Sequence, residues 1–170
     1  MEEEKLKNEV ANCIRSFPDF PTKDVVFRDI FPLFSNPSLI RSICAHIVTL
    51  YRQKIDVVVA LEARGFLFGP IVALEMDVPF VPVRKRGKLP GNRVINHMAP
   101  PTAGLALKLF DFENAFIIRP TGGSLNAASQ LISQSNAKTQ AVFVIIELEG
   151  LNGRRKMDFD AEITSLLKYA

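Results

Sequence analysis

Apolar residues follow two rhythms along this chain. Short, continuous, β-branched runs recur at Asp56–Leu61 (DVVVAL), Val78–Val83 (VPFVPV), Ala115–Ile118 (AFII) and Ala141–Ile146 (AVFVII). Runs of this length without alternation predict strands buried on both faces. Around and between them the apolar spacing is helical. Leu6, Val10, Cys13 and Ile14 form one stripe in residues 2–16, with Glu2–Glu4 at the end where the helix dipole favours negative charge. Asn36 and Pro37 mark a second start, as cap and first helical residue, with Leu39, Ile43, Ile47 and Leu50 on its apolar face. Leu67, Ile71 and Leu74 lie about one turn apart after the first strand, and Ala128, Leu131 and Ile132 supply the last helical stripe. Strands that alternate with helices predict an α/β fold with a mainly parallel sheet flanked by helices.

The remaining segments are less regular. Phe17-Pro18-Asp19-Phe20-Pro21 followed by Val25–Ile30 reads as a rigid, extended stretch without a regular element. Pro79 and Pro82 predict that the Val78–Val83 strand is short or lies at an edge. Residues 92–102 carry turn chemistry, and Leu105, Leu107 and Leu109 then alternate as in a brief strand. The chain closes with a basic turn at Arg154–Lys156 and an apolar stretch at Ile163–Leu167. No linker divides it, so residues 1–170 are expected to form a single domain.

Composition narrows the class without selecting a partner. The chain has 170 residues, is 48% hydrophobic and carries a net charge of +3, a mild basicity that suits phosphate-bearing ligands of any size. Cys13 and Cys44 are the only cysteines and are read as reduced core thiols. The acidic start, MEEEKLKNEV, lacks the apolar core of a signal peptide, and no apolar run reaches membrane-spanning length. A cytoplasmic location and no membrane partner are expected.

In a parallel sheet, ligands sit beyond the carboxyl ends of the strands. Three polar stretches fall there. Glu62-Ala63-Arg64-Gly65 ends the first buried run, either as an ordinary solvated turn or as a ligand loop. Arg84-Lys85-Arg86-Gly87-Lys88 puts four cations in five residues at the end of the second, as a clamp for phosphate or as a solvated or nucleic-acid-binding loop. Thr121-Gly122-Gly123-Ser124 opens a helix after the third, either as a phosphate loop or as a plain strand–helix turn. Its glycines let backbone N–H groups approach an anion, and its hydroxyls donate. His46 reads as structural, and His97 is assigned no role.

Five stretches carry a family resemblance: Ile14–Ile30 (IRSFPDFPTKDVVFRDI), Glu62–Pro70 (EARGFLFGP), Arg84–Gly91 (RKRGKLPG), Thr121–Ala128 (TGGSLNAA) and Glu147–Arg155 (ELEGLNGRR). The chain resembles the adenine phosphoribosyltransferases, a type I phosphoribosyltransferase family, from about residue 10 to 91 and again from 115 onward. The resemblance implies purine salvage: adenine and phosphoribosyl pyrophosphate give AMP and pyrophosphate, with Mg2+ accompanying the phosphoribosyl pyrophosphate. It implies a small hood over the base, formed by the N-terminal segment and the C-terminal end. It also implies a base held between Phe27 and Leu148, with backbone groups of Val26 and Arg28 reading the adenine edge. Glu62, Ala63 and Arg64 would form a pyrophosphate loop, which in this family carries a non-proline cis peptide, and Arg84 and Lys85 would face the same group. Lys88 would reach a neighbouring subunit's site, which makes a homodimer part of the expectation. Thr121, Gly122, Gly123 and Ser124 would cradle the 5′-phosphate. No catalytic residue and no protein metal ligand is assigned.

Two features depart from the family pattern. An adjacent acidic pair, two variable residues and a small one normally precede the phosphate loop. Here Ile118 runs through Arg119-Pro120 directly into Thr121. Residues 92–114 also lack the Glu-Tyr pair of the family's closing loop. These departures support a second reading: a catalytically impaired paralogue or isoform that keeps fold, dimer and AMP binding in a structural or regulatory role. A nucleic-acid-binding reading of Arg84–Lys88 is disfavoured, because the chain has no aromatic-interleaved basic surface.

Overall fold

A computed structural model describes residues 2–85, 88, 93–95, 105–108, 114–119, 125–156 and 159–170. The chain divides into two compact units, Met1–Ile47 and Val48–Ala170. The first holds α1 (Glu2–Cys13), a two-stranded antiparallel ribbon of β1 (Arg15–Phe17) and β2 (Phe27–Asp29), and most of α2 (Pro37–Tyr51). The predicted helix over residues 2–16 stops at Cys13, because Arg15–Phe17 pairs instead with Phe27–Asp29. The segment expected to lack regular structure is therefore a ribbon. Its prolines, Pro18 and Pro21, fall in the connecting loop, where no ladder hydrogen bond is lost. That loop is tied across by Phe20 N–H donating to the Val25 carbonyl and by Asp24 N–H donating to Asp19 Oδ1 at 2.8 Å.

The start of α2 follows its sequence signals. Asn36 Oδ1 accepts the Leu39 N–H at 3.1 Å, and Pro37 is the first helical residue. Leu39, Ile43 and Ile47 are buried as expected, whereas Leu50 is half-buried and Tyr51 takes the fully buried place beside it. Cys13 and Cys44 are free thiols, the second of them buried.

The second unit is built on a seven-stranded sheet in the order β5-β6-β4-β3-β7-β8-β9. Its strands are β3 (Val57–Leu61), β4 (Phe80–Lys85), β5 (Arg93–Ile95), β6 (Leu105–Lys108), β7 (Asn114–Arg119), β8 (Lys138–Leu148) and β9 (Glu162–Tyr169). Strands β4, β3, β7, β8 and β9 run parallel, and β6 and β5 add antiparallel at one edge. Every residue of β3 is buried. Val57, Val59 and Leu61 face a cluster with Leu125, Ala128, Leu131 and Ile132 of α4 (Leu125–Gln134), while Ala60 lies against α3 (Gly69–Met76). Helices on both faces explain why this strand reads as a continuous apolar run.

Three expectations change. Strand β4 is not an edge: it lies between β3 and β6. The carbonyls of Pro79 and Val83 accept the N–H groups of Val58 and Glu62, so alternate residues face β3 and Pro82 turns its nitrogen the other way. The β6 ladder begins only at Val83, so no hydrogen bond is missing there. Residues 93–95, within the segment read as turns, form β5. In α3 the expected stripe is the outer one, with Leu74 81% exposed and Ile71 38%. Phe68, Gly69, Val72, Ala73 and Met76 are buried instead.

Gly69 decides that rotation. A Cβ placed there would lie 2.7 Å from Ala60 Cβ and 2.7 Å from Phe80 Cε2. The glycine is thus the point at which the helix backbone meets the sheet, and a helix apolar on all sides can be oriented by that contact alone.

Candidate functional site

Strand β3 is the topological switch point. From it the chain first adds β4 on one side and later β7, β8 and β9 on the other. In open parallel sheets a ligand crevice forms outside the carboxyl ends of the strands where the order reverses. The residues that follow β3 are Glu62, Ala63 and Arg64, and those that follow β7 lead into Thr121–Ser124.

Glu62 and Arg64 are half-buried and Ala63 is exposed; the Glu62–Ala63 peptide is cis. The chain then turns through a short 3-10 segment, Arg64–Leu67, into α3. Across the β3–β4 ladder, Arg84 Nη2 donates to Glu62 Oε1 at 2.9 Å, and Lys88 Nζ lies 3.9 Å from the same oxygen. Arg84 Nη1 also donates to the Lys88 carbonyl at 3.2 Å. The hydrogen bond to Glu62 holds the Arg84 guanidinium above its ordinary pKa, so it stays charged at any working pH. One carboxylate therefore gathers two of the cations singled out in the sequence, beside the ends of adjacent strands. Lys85 closes β4, and its side chain lies outside the described residues, as do Thr121, Gly122, Gly123 and Ser124.

Leu148 ends β8 at the same edge of the sheet and is half-buried. Its preceding residue, Glu147, takes two hydrogen bonds from Arg154: Nε to Oε1 at 2.7 Å and Nη2 to Oε2 at 2.8 Å. Ser165 Oγ donates to Glu147 Oε2 at 2.5 Å, and Arg154 Nη1 donates to the Ile163 carbonyl at 3.1 Å. The Arg154 hydrogen bonds, joined by that of Ser165, hold the Glu147 carboxyl down to about 2 against the opposing effect of burial. This cluster was not foreseen. Its only sequence signal is the seven-residue spacing of Glu147 and Arg154 across a turn containing Gly150 and Gly153. Ser165 comes from a strand that the apolar stretch did not distinguish from a helix.

In the first unit, Phe27 is half-buried and packs edge-on to Phe20 with ring centroids 5.3 Å apart. Arg28 is half-buried with Nη1 donating to Ser16 Oγ, and Val26 is 43% exposed. The buried Asp29 fixes the ribbon end by accepting from Arg15 Nη2 at 3.0 Å and from the Phe31 N–H at 2.9 Å. Among the described residues, no three or more His, Cys, Asp or Glu side chains lie close enough to hold a metal ion.

The phosphoribosyl transferase domain family matches residues 33–165. Adenine phosphoribosyltransferase from Caenorhabditis elegans is 40% identical, over 98% of this chain and 95% of its own length. The chain belongs to the adenine phosphoribosyltransferase family. Its fold is that of the type I phosphoribosyltransferases. The solved adenine phosphoribosyltransferase of Thermoanaerobacter pseudethanolicus superposes with a TM-score of 0.86 at 32% identity, covering 95% of this chain and 99% of that one. The enzyme from Saccharomyces cerevisiae, solved with D-DIAB and adenine, gives 0.85 at 32% identity over 96% and 99%. Among the described residues, no helix is long and apolar enough to cross a membrane.

Proposed function

We propose that this chain is an adenine phosphoribosyltransferase of purine salvage, acting in the cytoplasm as a homodimer whose subunits each work as one phosphoribosyltransferase-like domain. The observation that carries this reading is 40% identity with a curated adenine phosphoribosyltransferase over 98% of the chain. In the reaction, a bond forms between a ring nitrogen of adenine and the ribose anomeric carbon, and the proton that nitrogen carried is released and taken up by the pyrophosphate product. The bond from that carbon to pyrophosphate breaks, and its electron pair leaves with the pyrophosphate.

Val26, Phe27, Arg28 and Leu148 hold the base. A flat apolar slot accepts a purine face, and backbone groups supply the selectivity. Glu62, Ala63 and Arg64 line the pyrophosphate loop. Arg84 and Lys85, with Lys88 of the neighbouring subunit, stabilise the negative charge that grows on the departing group as the ribose becomes oxocarbenium-like. Thr121–Ser124 bind the 5′-phosphate. Mg2+ enters with phosphoribosyl pyrophosphate as part of the substrate.

A second reading rests on Arg119, which ends β7 where the family's acidic pair begins. Those carboxylates hold ribose hydroxyls in the family, and a hydrogen bond to a charged group contributes about 1.5–3 kcal/mol. On this reading the chain binds AMP yet turns over phosphoribosyl pyrophosphate slowly, in a structural or regulatory role. Two measurements on the unmodified protein test both: AMP formation from adenine, phosphoribosyl pyrophosphate and magnesium, and a direct titration with AMP. Turnover with binding supports the enzyme, binding without turnover the impaired form. The absence of both overturns the family function for this chain.

A further inference from the structure

The Arg154 cluster is better built than a surface ion pair needs to be. An exposed Lys or Arg paired once with a carboxylate contributes little to stability and leaves its neighbours unconstrained. Here one guanidinium is engaged on three sides, with two parallel bonds to Glu147, one to the Ile163 carbonyl and one to Ser165 Oγ at 3.0 Å. A planar fork bound in this way fixes direction as well as distance. Ser165 completes the ring by donating to the same Glu147 oxygen.

The chain between Glu147 and Arg154 is a tight turn. It comprises a short 3-10 segment, Glu149–Leu151, and Asn152 in the left-handed conformation at φ 50°. Leu148 is the first residue inside that closed turn and the last residue of β8, at the carboxyl edge where a ligand is expected. We infer that Arg154 is a positioning residue for base binding: through Glu147 and Ser165 it closes the turn after β8 and so holds Leu148 against a planar base. This rests on the proposed role of Leu148 in adenine binding.

The competing interpretation is that the cluster only anchors β9 to β8. The two differ in what they do to separate ligands. Adenine and inorganic pyrophosphate are titrated calorimetrically into the unmodified dimer and into Arg154→Ala, Arg154→Lys and Ser165→Ala. For Arg154→Ala, adenine should bind at least tenfold more weakly and pyrophosphate within twofold of the unmodified protein. Arg154→Lys, which keeps charge but not the fork, should recover only part of the loss. Ser165→Ala, which deletes a single hydroxyl, keeps the question open to measurement if Arg154→Ala does not fold, and should weaken adenine alone.

Adenine affinity unchanged in the folded variants overturns the inference, and so does an equal loss for both ligands. An unmodified protein that fails to bind adenine overturns the proposed base site and this inference with it. That outcome is told apart by the unmodified protein's own titration.

Discussion

Single residues set two measurable properties. Glu147 is the first. Its folded-state pKa is depressed from 4.5 to about 2, chiefly by the Arg154 hydrogen bonds. A depressed carboxylate stabilises the fold fully above its unfolded value, and that contribution fades as pH falls toward the folded value. Chemical denaturation of the unmodified protein and Glu147→Gln should therefore differ most at neutral pH. The two should converge between about pH 4.5 and 2; a gap that stays constant on acidification would contradict the pairing. Gly69 is the second. An added methyl would meet Ala60 Cβ and the Phe80 ring at 2.7 Å, and neither the Cβ nor the sheet beneath it can withdraw. Overpacking of this kind costs about 1–3 kcal/mol, so Gly69→Ala should lower the denaturation midpoint without changing its slope.

At the scale of elements, the informative junction is the end of β7. The strand runs to Arg119, and the next two residues are Pro120 and Thr121. A phosphate needs only N–H groups and hydroxyls, whereas the bond-breaking step needs ribose hydroxyls and the metal-bearing substrate held rigidly. On the impaired-form reading, replacing Arg119-Pro120 by a five-residue segment that begins with two acids should raise AMP formation by orders of magnitude and make it magnesium-dependent. Near-normal, magnesium-dependent turnover in the unmodified chain would show that the acids are dispensable here. The β3–β4 pair makes a different point. Glu62 belongs to the turn after one strand and Arg84 to the next strand, 22 residues later, and only their parallel pairing brings them within 2.9 Å.

For the whole molecule, the proposed reach of Lys88 into a neighbouring site requires a second copy. Sedimentation at micromolar concentration should give a dimer, and a monomer would remove Lys88 from the pyrophosphate site. In the same preparation, millimolar AMP should raise the thermal midpoint, since a ligand that binds only the folded state stabilises it by mass action. No shift would count against the AMP site as a whole.

The fold class was legible because burial on both faces leaves a mark that needs no partner to be read. Val57–Leu61 and Ala141–Ile146 are continuous apolar runs, and Asn36-Pro37 carries its own capping chemistry. The family motifs were legible for a similar reason, since each lies within one unbroken stretch of chain. What the pattern left undetermined was decided by contacts between distant residues. The α3 sequence GPIVALEM is apolar all round, so periodicity alone favoured Ile71 and Leu74, and the close approach of Gly69 to Ala60 and Phe80 turned them outward. Two prolines suggested that β4 lies at an edge, yet its interior place depends on which way one nitrogen points. Arg15 and Ser16 fall within a helix on paper, yet Arg15–Phe17 becomes a strand because Phe27–Asp29 offers it a partner. The Glu147–Arg154–Ser165 cluster joins a strand end, a turn and a second strand. Hydrogen bonds between such separate elements have no period, so the sequence by itself determined the layers and the motifs, and tertiary structure alone decided rotation, pairing and the clasp.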